Sequence, residues 1–113
     1  MRCVCAAFGV VVALSACVQP SAQVQPRKGA TFLPDAQGLA VQPSAQRVDF
    51  GRSPKGVIPA LTRELGRPAV LPLTGCPTGI AQRMRWGDLE LTFTSERFVG
   101  WKQGEGQHGR VCT

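Results

Sequence analysis

Histidine is nearly missing from this chain. His108 stands alone among 113 residues, and outside Cys3 and Cys5 no two cysteines lie close in sequence. Protein zinc sites draw several such ligands at short spacing, so neither a metal centre nor a cofactor is expected. No strand-linked Gly-x-Gly-x-x-Gly occurs. Gly51-Arg52-Ser53-Pro54-Lys55-Gly56 fails the phosphate-loop spacing, and Pro54 removes an amide donor from it. Acidic residues are scarce, seven against thirteen Lys and Arg, for a formal charge of +6. No carboxylate is placed to orient His108 against Ser95 or Cys76 as a base and nucleophile. Glu90 and Glu96 read as solvated strand and turn residues instead of paired acids, and an enzyme is not expected. A long apolar run is missing too: Cys5 to Leu14 falls far short of the ~20 residues of a membrane-spanning helix.

That short run is informative in its own setting. Arg2 gives a positive start, Cys5 to Leu14 an apolar centre, and Ser15-Ala16 small residues before Cys17. These are the three parts of a secretory signal. Leu14-Ser15-Ala16-Cys17 resembles the lipobox of bacterial lipoprotein precursors. The resemblance implies removal of residues 1–16, a diacylglyceryl thioether on Cys17 and acylation of the new amino terminus. Two or three acyl chains anchor stably where one is marginal. Val18 is not the aspartate that usually retains such proteins at the inner membrane. The expected location is therefore the cell envelope, facing the periplasm, with the outer membrane favoured over the inner. The expected partners are the membrane through the lipid anchor and another envelope protein or an anionic glycan. Basic charge suits such anionic surfaces; nucleic acid, which an exported tethered chain rarely meets, is not expected.

With Cys3 and Cys5 leaving in the signal and Cys17 carrying lipid, Cys76 and Cys112 remain. In an oxidising compartment they are expected to form a disulfide.

After the anchor, residues 17–46 read as a Pro- and Gln-rich tether. Val-Gln-Pro-Ser-Ala-Gln occurs at 18–23 and again at 41–46, a composition that favours extended, solvated chain. Residues 47–113 read as one small α+β domain. Val57, Ile58, Leu61 and Leu65 fall on one helical stripe, and Gly66 with Pro68 ends it. The start is open between Ser53-Pro54 as cap and first turn, and Gly56 as cap, because Pro59 sits inside the longer version. Gln82–Trp86 and Leu89–Phe93 alternate around Gly87-Asp88, a hairpin signal that sets Trp86 opposite Leu89 and Arg85 opposite Glu90. A third strand returns through Arg97–Trp101, with Phe98 opposite Phe93. The expected fold is one amphipathic helix packed on a three-stranded antiparallel meander, after a disordered tether.

Simple alternation along the third strand points Val99 and Trp101 away from the helix, beside Arg83 and Arg85. Tryptophan and arginine are enriched at binding hot spots. These four residues form the candidate binding patch, with Trp101 at its centre. Alternatively Phe32-Leu33 or Leu39–Val41 folds back and covers that face.

Two stretches carry a family likeness: Arg47–Arg52 running into Gly56-Val57 and Leu65-Gly66, and Trp86–Phe93 with Arg97–Trp101. Across residues 47–112 the chain resembles small uncharacterised lipoproteins of alphaproteobacteria. The order of helix, Leu-Gly-x-Pro and strands is similar in topology to outer-membrane assembly lipoproteins of the SmpA/OmlA type. The resemblance implies a non-enzymatic binding or envelope-assembly accessory module. The second function expected is a structural lipoprotein held against an anionic membrane or wall by its basic surface.

Overall fold

The computed structural model describes residues 29–113; the signal stretch, Cys17 and the first copy of the repeat lie outside them. Among the described residues the chain forms β1 (Thr31–Asp35), β2 (Gly38–Gln42), β3 (Gln46–Asp49), α1 (Pro54–Leu65), β4 (Ala69–Val70), β5 (Gln82–Trp86), β6 (Leu89–Phe93), β7 (Phe98–Gln103) and β8 (Gly106–Gly109). β1-β2-β3 make a small sheet and β4-β5-β6-β7-β8 a large one, each antiparallel throughout. The expected architecture is thereby corrected. The domain is mostly β, two sheets with one short helix, and not a helix packed on a three-stranded meander. None of the described helices is long and apolar enough to cross a membrane.

The small sheet arises in residues expected to be tether. Its strands are short, yet register puts Phe32 opposite Val41 and Leu39 opposite Val48, so these four side chains share one face. That face packs inward, with Leu39 fully buried. Proline does not prevent it. Pro34 lies in the edge strand, where a missing amide costs no ladder bond on the open side. Pro43 lies in the β2–β3 turn, after a cis peptide bond. Gly38 is required after the β1–β2 turn: its φ is 140°, and a side chain would collide with the Val48 carbonyl.

Ser53 caps α1, its hydroxyl accepting from the Lys55 amide at 3.1 Å, with Pro54 in the first turn. The longer of the two helix starts is the one formed. Pro59 lies inside it on the exposed side, so the Lys55 carbonyl that loses a donor faces solvent. Val57 and Leu61 turn inward.

In the large sheet, β5 and β6 pair as the alternation required, Trp86 with Leu89, Met84 with Leu91 and Gln82 with Phe93. One face of this sheet meets α1 and the small sheet in a single core that joins Leu39, Val57, Leu61, Leu91, Phe93 and Phe98. Two indoles tie the layers together. Trp86 donates to the Gly66 carbonyl at the end of α1 (2.9 Å), and Trp101 donates to the Asp35 carbonyl at the end of β1 (2.7 Å). Each bond satisfies a donor that burial would otherwise strand.

The opposite face is covered by the chain's own loop and tail. Arg83 donates to the Pro72 carbonyl (3.0 Å), Lys102 to the Cys112 carbonyl (3.3 Å), and the Thr113 amide to Gly75 (2.9 Å). Cys76 and Cys112 are joined by a disulfide, as expected, which clamps loop to tail across 36 residues. The tail passes so near β7 that a side chain at Gly100 would collide with the Arg110 carbonyl. Beneath this cover Glu90 and Thr92 are buried.

Candidate functional site

The four residues of the expected patch are not brought together on an open surface. Arg85 is exposed and Val99 half-buried, but Trp101 is 7% exposed and belongs to the core. The cause is a bulge. Phe93 pairs with Phe98, whereas Leu91 pairs with Trp101, so β7 spends three steps where β6 spends two. One extra residue reverses the side on which later side chains emerge. Trp101 therefore shares the face of Leu91, under the small sheet. The Leu39–Val41 stretch does fold back, but onto the helix side, where Leu39 joins the core with Trp101; the face of Arg83 is covered by the loop and tail instead. Arg83 is also occupied: it pairs with Glu90 at 2.6 Å. The expected Arg85–Glu90 pairing exists as register, but the ion pair runs diagonally from Arg83 instead.

The catalytic alternatives do not assemble either. Cys76 is bound in the disulfide, and His108 lies against Trp101, ring centroids 6.0 Å apart. Among the described residues no cluster of three His, Cys, Asp or Glu side chains is arranged to hold a metal ion.

A site of another kind lies between the small sheet and α1. There a cleft of about 550 Å³ opens, floored by Phe32, Val41, Val48 and Ala60. Arg47, Arg52 and Arg63 stand at its rim, with Glu64 where Ala30 enters. A smaller, more apolar groove of about 270 Å³ continues past Arg52 to Val57.

The three guanidiniums differ in what they have left to offer. Arg47 is engaged by Asp35 and Asp49, both at 2.7 Å. This bond, with the Gln37 amide adding to it, holds the Asp35 carboxyl down at about 2, and the two carboxylates push Arg47 further into its charged form. Arg47 is thus a strut of the small sheet. Arg63 reaches Glu64 only at 3.8 Å and stays two-thirds exposed. Glu64 itself is turned to the incoming chain, accepting from the Gly29 and Ala30 amides at 3.2 and 3.3 Å. Arg52 donates to the Arg47 carbonyl at 3.4 Å and meets no carboxylate within 4 Å among the described residues. Arg52 therefore presents charge without a carboxylate partner, and Arg63 charge only loosely matched by Glu64, over an apolar floor, an arrangement suited to an anionic group attached to an apolar body.

Sequence reasoning passed over this site because half of it belongs to the stretch taken for tether. The signal available was the same-face set Phe32, Leu39, Val41 and Val48 with a glycine at the turn. The sequence matches no protein-family model, and neither a curated protein nor a solved structure matches it.

Proposed function

We propose that this chain is a lipid-anchored lipoprotein of a bacterial envelope, its 29–113 domain a non-enzymatic binding module that works through the cleft between the small sheet and α1. The observation that carries the binding role is the pairing of an apolar floor with Arg52 and Arg63 at the rim. Such a cleft offers recognition groups for an anionic partner, where the Trp101 side of β7 offers none. The anchor rests on the lipobox at Leu14–Cys17 and its short apolar segment. Val18 favours the outer membrane, and the disulfide is in keeping with an oxidising compartment.

Two measurements test this. Labelling with palmitate should mark the natural chain and fail for Cys17→Ser; equal labelling of the two sinks the anchor. A photo-crosslinker at Ala60 should capture a partner in intact cells, and Arg52→Glu should abolish the capture. Capture indifferent to Arg52 sinks the cleft.

A further inference from the structure

The cleft lies beside the point where the chain arrives from its amino-terminal end. Ala30 lines it, and the Gly29 and Ala30 amides are fixed on Glu64 of α1. Arg27 and Lys28 immediately precede Gly29 in sequence. Arg52 and Arg63 thus stand beside the point at which the described chain begins. Residues 18–28 number eleven, and eleven residues reach at most about 40 Å.

From this we propose that the cleft docks on the membrane that carries the anchor, with Arg52 and Arg63 receiving the phosphate of an anionic phospholipid headgroup. The proposal rests on the lipid-anchor reading and names the partner of the same cleft. Charge, position and length each favour it. The headgroup supplies a phosphate with an apolar body behind it, matching a cationic rim over a floor of Phe32, Val41 and Val48. A domain confined within ~40 Å of a surface meets it at an effective concentration of order 10 mM, so a weak site is occupied. Each basic side chain near an anionic surface contributes roughly fivefold in affinity.

The test separates docking from anchoring. The processed chain, residues 17–113 with Cys17→Ser, carries no acyl group, and the described core is built from residues 29–113 alone. It should sediment with vesicles of phosphatidylcholine containing phosphatidylglycerol, and release as salt rises. Vesicles of phosphatidylcholine alone should not retain it. Arg52→Gln with Arg63→Gln should weaken binding about 25-fold. Arg85→Gln with Lys102→Gln removes the same charge from the opposite face of the large sheet and should change it less than twofold. Equal loss from both pairs overturns the docking, leaving only diffuse attraction. So does displacement by inorganic phosphate at micromolar levels, which marks a soluble-anion site, and so does binding to isolated peptidoglycan but not to vesicles. Palmitate labelling of Cys17 is scored separately, so loss of the anchor and loss of docking give different results.

Discussion

Replacing Trp101 with phenylalanine isolates what the bulge in β7 does. The indole is 7% exposed and donates to the Asp35 carbonyl at 2.7 Å. Phenylalanine keeps an aromatic ring but loses that donor. The lost hydrogen bond costs about 1 kcal/mol. The smaller ring returns ~40–50 Å² of apolar burial, about 1 kcal/mol at 25 cal/mol per Å², and the gap it leaves adds to this. The expected loss is therefore ~2–3 kcal/mol, large against the ~5–10 of a domain this size. Urea unfolding followed through the remaining Trp86 reads it directly. With a slope of ~1–1.5 kcal/mol per molar, the midpoint should fall by about 2 M. Trp86→Phe, which loses the bond to Gly66, should behave alike, while Arg85→Ala should stay within about 0.5 kcal/mol. Trp101→Ala removes more and risks unfolding, so phenylalanine is the informative change. If Trp101→Phe shifts stability by less than about 0.5 kcal/mol, Trp101 does not join the small sheet to the large one, and the reversal of its side fails with it.

Three further outcomes follow from the same contacts. Replacing Cys76 and Cys112 with alanine opens a loop of 36 residues and should cost ~4 kcal/mol on the chain-entropy model, with new hydrogen exchange confined at first to residues 71–81 and 110–113. Glu90→Ala strands the half-buried Arg83 and should cost about 3 kcal/mol, whereas Arg83→Met with Glu90→Leu should recover most of the loss, a comparison made by a double-mutant cycle. Asp35 titrates at about 2, below its ordinary 3.8, because Arg47 binds its charged form. Its contribution is present above pH ~4 and lost as pH falls toward 2, so Asp35→Asn should flatten the stability curve in that window and leave neutral pH behaviour otherwise parallel.

What could be read from the sequence was whatever a local rule dictates. The β5–β6 hairpin was legible because alternation and Gly87-Asp88 agree on one register. The end of α1 was legible from Gly66 and Pro68, and the disulfide from the two cysteines that remain. β1 and β2 were not, since prolines and glutamines over 31–46 compose like solvated chain. Their strands are held by partners in the core, chiefly through Leu39, and not by propensity. β8, Gly-Gln-His-Gly, has no apolar residue and exists because β7 offers an edge. The bulge left no mark either: one extra residue between Phe98 and Trp101 changes no composition, yet it turned an expected surface tryptophan into a core one.

The misplaced tryptophan and the unforeseen small sheet have one physical origin. A large sheet with Leu91 and Trp101 on the same face exposes more apolar surface than a twelve-residue helix can cover. Phe32, Leu39 and Val48 supply the missing cover, and the Trp101–Asp35 bond fixes where they lie. Folding residues 31–46 into the domain then shortens what can serve as leash. A tether of residues 18–46 would reach about 100 Å; one of residues 18–28 reaches no more than ~40 Å. The same strands that close the core form one wall of the cleft and deliver Ala30 to its mouth. Burial of Trp101 and the position of Arg52 and Arg63 beside the entry of the chain at Ala30 are thus coupled consequences of one packing need. A variant that loosens the small sheet without unfolding the large one, such as Leu39→Ala, should therefore weaken vesicle binding even though it removes no charge.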